Sequence, residues 1–149
     1  MTRSSLDGSP GLDDAAYRRL LGLRDELRRF LHWSEQQARS AGLTPAQHQL
    51  LLAVRGHPEP GGPTIREVAD HLLSQHHSVV GLVDRAVGAG LVERHEDPHD
   101  RRVARVRLTD AGDEALAQLS NAHLAEMGRL AVALNPLWGE GLPGGSGAP

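Results

Sequence analysis

The stretch from Thr64 to Thr109 constrains this chain most, because the spacing of its apolar residues changes period partway along. Ile65, Val68, Ala69 and Leu72 recur at i, i+3, i+4 and i+7, which puts them on one face of a helix. Thr64 and Glu67 form the S/T-x-x-E capping box that starts such a helix. Beyond Leu73, Ser74 is the expected N-cap of a second helix, with Val79, Leu82, Val83 and Ala86 at the same spacing. Gly90 suits the left-handed position after its end, and apolar Leu91 suits a Schellman stop. The period then falls to two: Ala104, Val106 and Leu108 alternate with Val103, Arg105 and Arg107, as in a strand. Asp97, Pro98, His99 and Asp100 supply turn chemistry between two strands. Helix, turn, helix and basic hairpin make a winged helix, a scaffold suited to duplex DNA.

Around this unit the chain is helical. From Asp13 to about Ala41, Tyr17, Leu20, Leu21, Leu27, Phe30, Leu31, Ser34 and Ala38 keep to one broad face opposite a charged one. A helix of this length spans about 42 Å, more than a small core can cover, so something outside the monomer should bury the excess. Thr44-Pro45-Ala46-Gln47 is a second capping box with proline in the first turn, and the helix it starts runs to Gly56. GHPEPGGP, residues 56–63, reads as a loop ahead of the winged unit. Thr109 caps a last long helix carrying Leu116, Leu119, His123, Met127, Leu130 and Leu134 on one stripe, and Asn135-Pro136 ends it. Residues 1–12 are expected to be a disordered lead-in, 13–134 one domain, and 135–149 a flexible tail.

Composition removes several function classes. At 149 residues without cysteine, the chain has no disulfide, thiolate metal site or thiol switch. It lacks an apolar leader and any long apolar run, so it is read as cytoplasmic, with no membrane partner. No HExxH, GxSxG, P-loop or GxGxxG is present, so no enzyme and no cofactor are expected. The net charge of −3 makes distribution matter more than total. Residues 108–149 hold one arginine against five acids, whereas 45–107 hold eight arginines, eight acids and seven histidines. Every basic side chain in the sequence is arginine.

The run GLVERHEDPHDRRVARVRLTDAG, residues 90–112, resembles the wing signature of the MarR (multiple antibiotic resistance regulator) family in its GLVER, D-P-x-D-R-R and L-T-x-x-G elements. The similarity extends over roughly residues 13–134. It implies a mainly α fold with a small β-hairpin wing, in which residues 64–109 are the DNA-binding winged helix, dimeric through long N- and C-terminal helices (13–41 and 110–134). It also implies a sequence-specific transcription regulator, a repressor whose grip on DNA is lowered by a small molecule. The partners would be a pseudo-palindromic duplex and a second copy of the chain.

On this reading Gln75, His76, His77 and Ser78 form the first turn of the recognition helix and meet base edges. The family often carries arginine where Gly81 stands, which shifts the burden onto His76 and His77 and predicts weaker binding as pH rises through the histidine range. Arg85, of the matching Asp84-Arg85 pair, is expected on a phosphate or oriented by an acid in the wing. The resemblance places Arg102 in the minor groove with Asp100 holding it, and leaves Arg101 and Arg105 for phosphates. A small-molecule cavity is expected where His32, Trp33, Gln37 and His48 meet. Two alternatives stand beside this reading. One is a zinc-responsive regulator, although His71 with Gln75, or His95 with His99, gives no set of three or four ligands. The other is a winged helix that binds protein and not DNA.

Overall fold

The computed structural model describes residues 11–138. The expected lead-in, save Gly11 and Leu12, and the tail beyond Trp138 lie outside them. Five helices and one hairpin follow in the order α1 (Asp14–Ser40), α2 (Pro45–Arg55), α3 (Ile65–Leu72), α4 (His76–Gly88), β1 (Val92–Glu96), β2 (Ala104–Leu108) and α5 (Asp110–Leu134). A 3-10 turn, Asn135–Trp138, continues from α5 where proline prevents further α-helix. No helix among the described residues is long and apolar enough to cross a membrane.

Two compact units divide the chain, residues 32–125 and the paired termini (1–31 with 126–149). The 32–125 unit holds the core. Leu50 and Leu51 from α2, Val68 from α3, Val79 and Val83 from α4, and Val92 and Val106 from the hairpin are almost wholly buried. Val68, Val79, Val83 and Val106 are among the positions that the 3.6 and 2.0 periods select. Both capping boxes form: the Thr44 hydroxyl accepts from Gln47 N–H and the Thr64 hydroxyl from Glu67 N–H, with each N3 side chain accepting in return. At the end of α4, Gly90 N–H donates to Val87 O and Leu91 N–H to Ala86 O, with Gly90 at φ 73°, which is the expected Schellman stop.

The turn between α3 and α4 departs from expectation. The N-cap of α4 is Gln75 rather than Ser74, whose hydroxyl donates instead to Leu72 O. The cause lies one residue earlier. Leu73 takes the left-handed conformation (φ 50°) and closes α3 with its own Schellman bonds, which carries Ser74 out of capping position. A leucine here is strained, and its side chain is 94% exposed.

The hairpin is antiparallel, with Val92 opposite Leu108 and Glu96 opposite Ala104. The loop at 56–63 does more than mark a boundary. Val106 N–H donates to Pro63 O at 2.9 Å, and Thr64 bridges Arg105, so the loop lies against β2. Gly62, at φ +80°, is required there: a Cβ would sit 2.0 Å from Val106 O. The L-T-x-x-G exit has an equally local cause. The Thr109 hydroxyl donates to Gly90 O at 2.5 Å and accepts from Gly112 N–H, and a Cβ on Gly112 would meet Leu91 O at 2.0 Å.

In the unit of the termini, Tyr17, Leu20, Leu21, Leu27, Leu31, Met127 and Val132 are exposed large apolar residues. Leu137 of the 3-10 turn lies against Gly22 of α1.

Candidate nucleic-acid interface

Gln75, His76, His77 and Ser78 are all exposed at the start of α4, while Val79, Leu82, Val83 and Ala86 bury the opposite face. The helix therefore shows polar donors and acceptors outward from its first turn. Gln75, at the N-cap, makes no capping hydrogen bond, so its amide is available to a base edge.

At the wing tip, Asp100 and Arg102 come together as the D-R-R pattern implied. Arg102 Nε donates to Asp100 Oδ1 at 3.1 Å and Nη2 to Oδ2 at 3.2 Å, a two-point pair. Arg102 N–H also donates to Oδ1. These bonds, the side-chain one first, hold the Asp100 carboxyl below its ordinary pKa. The Arg102 side chain remains 90% exposed, so it is oriented yet open to solvent. Arg101 beside it is exposed and has no ion pair among the described residues.

Arg105 requires a correction. Expected on a phosphate, it faces inward, its side chain only 17% exposed. Its Nε donates to Asp97 Oδ2 at 2.5 Å, its Nη1 to Gly62 O at 2.8 Å, and Glu59 Oε2 lies 3.2 Å from the same Nη1. Asp97 is 8% exposed, and its other oxygen accepts from His99 N–H and Asp100 N–H. The Arg105 hydrogen bond, then that from His99, lowers the Asp97 pKa. Arg107 donates to Gly61 O at 3.3 Å. The base of the wing is thus fastened to the loop by arginine.

Of the two readings of Arg85, orientation by an acid in the wing is not seen among the described residues; an ion pair between α4 and the wing runs from Asp84 Oδ1 to Arg94 Nη2 at 2.5 Å. Arg85 instead lies back along α4, its Nη1 3.2 Å from where a Cβ on Gly81 would stand. Gly81, with no Cβ, leaves room for it. Arg94 carries no local signal of its role, because its partner lies on another element.

The four residues expected around a small-molecule cavity divide. His32 is exposed and Gln37 half-buried. Trp33 and His48 each lie against His123, whose ring centroid is 4.8 Å from Trp33 and 4.7 Å from His48. His123 Nδ1 lies 2.9 Å from Leu119 O, which can only accept, so Nδ1 carries the proton. Ser34 Oγ, 2.8 Å from Nε2, then donates to it. Burial first, and the neighbouring His123 second, depress the His48 pKa. Among the described residues, no group of three or more His, Cys, Asp or Glu is arranged to hold a metal ion.

Comparison with known proteins points to the same fold. The model of the MarR family matches residues 41–103, from the start of α2 into the wing. The HTH-type transcriptional repressor MdtR of Bacillus subtilis is 31% identical over 88 residues. That match takes in 59% of this chain and 55% of the repressor, so the chain spans about half the length of this curated relative. A solved MarR transcription factor from Planctomyces limnophilus is 28% identical, with a TM-score of 0.60 over 87% of this chain and 90% of that one. The S. aureus MepR–DNA complex, at 17% identity and a TM-score of 0.63 over 82% and 85% of the two chains, shares the fold. Sequence and fold point the same way: over residues 41–103 the chain is similar to the MarR family, and its fold is that of solved MarR-family regulators.

Proposed function

We propose that the chain is a homodimeric, sequence-specific DNA-binding transcription regulator acting as a repressor in the cytoplasm. One observation carries the reading: His76, in the first turn of α4, and Arg102, at the wing tip, line the same groove. The recognition helix and the wing are thereby set beside each other, as a protein needs to be to enter a major groove and the adjacent minor groove of one duplex. Gln75, His77 and Ser78 would read base edges, Arg102 would enter the minor groove held by Asp100, and Arg85 and Arg101 would contact phosphates. The MdtR name and the MepR–DNA complex support the same role.

A second copy of the chain would cover Tyr17, Leu20, Leu21, Leu27 and Met127, apolar side chains at least 42% exposed in the monomer. An effector that binds better to a dimer whose recognition helices are misplaced would weaken DNA binding by the same factor. The test is a fluorescence-anisotropy titration against the duplex upstream of the chain's own gene and a shuffled duplex, at two salt concentrations. Native binding roughly a thousandfold tighter is expected. Absence of binding to any duplex at low salt, with or without zinc, overturns the reading in favour of a protein-binding winged helix.

A further inference from the structure

Arg66 has no part in the contacts described so far. It sits in the first turn of α3, exposed, and makes no hydrogen bond or ion pair among the described residues. Most arginines around it are committed: Arg55 to Asp113, Arg94 to Asp84, Arg102 to Asp100 and Arg105 to Asp97. The backbone that carries Arg66 is nevertheless firmly placed. The capping box closes the start of α3, Thr64 bridges Arg105, and Pro63 O accepts from Val106 N–H. The start of α3 and strand β2 are therefore one piece of structure, with Arg66 projecting from its rim.

Arg66 lines a groove of about 400 Å3 together with His76 from α4 and Arg102, Val103 and Ala104 from the wing. Two guanidinium groups and an imidazole meet there, and no carboxylate is among the lining residues. Such a groove suits an anion. The geometry of duplex DNA supplies one. If α4 lies in the major groove and the wing tip in the minor groove beside it, the sugar-phosphate ridge that separates the two grooves must pass between them. The groove between α4 and the wing is where that ridge would run.

We propose that this groove seats a backbone phosphate of the duplex, with Arg66 as a phosphate-binding residue facing Arg102 and His76. The proposal rests on the DNA-binding reading above. It gives α3 a direct role: the first helix crosses the backbone and positions α4 through Arg66. It also turns His76 toward the backbone, leaving base readout to Gln75, His77 and Ser78.

The experiment titrates wild type, Arg66→Ala, Arg66→Lys and Arg102→Ala with native and shuffled duplexes, from about 50 to 200 mM salt. A phosphate contact carries no sequence information. Arg66→Ala should therefore weaken binding to both duplexes by a similar factor, roughly fivefold, and reduce the salt slope by about 0.9. Arg66→Lys should restore the slope, and thermal melting should be unchanged for both variants. In a duplex whose phosphates are replaced singly by neutral methylphosphonate, one position should weaken wild type and leave Arg66→Ala unaffected. Inorganic phosphate is added alone as a separate arm. Raised melting of wild type but not of Arg66→Ala would mean that the groove takes a free anion, and would overturn the assignment to the duplex if no methylphosphonate position responds. Unchanged affinity and slope in Arg66→Ala, or loss on the native duplex only, also overturns it. If wild type and Arg102→Ala behave as the DNA reading requires while Arg66→Ala matches wild type, this inference alone fails. If wild type binds no duplex, the DNA reading fails first.

Discussion

The tip and the base of the wing each pair an arginine with an aspartate, and the two pairs serve opposite ends. At the tip, Arg102 grips Asp100 through two contacts while its side chain stays 90% exposed. At the base, the side chains of Arg105 and Asp97 are 17% and 11% exposed, and both spend their remaining hydrogen-bonding capacity on backbone groups and Glu59. An exposed pair contributes little to stability because water competes for both charges. It does limit the conformations of a long side chain, which keeps a guanidinium aimed at a partner that arrives later. A buried pair is costly to break, since removing one member leaves the other charged and unsatisfied. The tip pair presents a charge; the base pair fastens a loop.

The strongest way to break this contrast is at the base. Gly62→Ala should cost more than any other change considered, because the added Cβ would meet Val106 O at 2.0 Å in a left-handed conformation. A loss above roughly 3 kcal/mol in denaturant unfolding is expected, and a loss under about 1 kcal/mol would mean that the loop does not rest on β2. Arg105→Ala comes next. It should lower the melting temperature by roughly 5 to 10 °C, with DNA affinity falling only as far as the wing is disordered. Arg102→Ala should do the reverse, leaving melting within about 2 °C and weakening binding by roughly tenfold at matched salt. Equal melting losses for the two variants would dissolve the distinction between tip and base.

The smallest expected effect is in acid. Both Asp97 and Asp100 have folded pKa values below 3.8, so each adds stability that is present above pH 3.8 and is lost as pH falls through its folded value. The stability gap between wild type and Asp97→Asn should therefore narrow below pH 3.8. The corresponding gap for Asp100→Asn should be smaller throughout, because its partner is solvated. Urea titrations at pH 3 to 7 would show whether the order holds.

Local signals explain what could be read without a structure. Thr64 with Glu67, Thr44 with Gln47 and Gly90 with Leu91 act within six residues, and all formed as expected. The tip of the wing was legible for the same reason, since Asp100 and Arg102 are two residues apart. What escaped depends on distant partners. Alternation along β2 places Arg105 and Arg107 on one side, but nothing in it reveals that Gly61 and Gly62 bring carbonyl groups to that side. Trp33 and His48 read as walls of a cavity, yet each lies against His123, far along the chain. Leu73 hid the start of α4 because a left-handed leucine has no sequence signature.

The contact between the Trp33 and His123 rings has an optical consequence. Indole emission depends on what lies against the ring. Trp33, 4.8 Å from His123, should therefore change its emission if that ring moves, while Trp138, 56% exposed on the 3-10 turn, supplies a background signal. With Trp138→Phe to remove the background, the 32–125 unit carries its own fluorescent gauge of that contact. Any molecule that displaces His123 from Trp33 and His48 would register as a change in light before its identity was known.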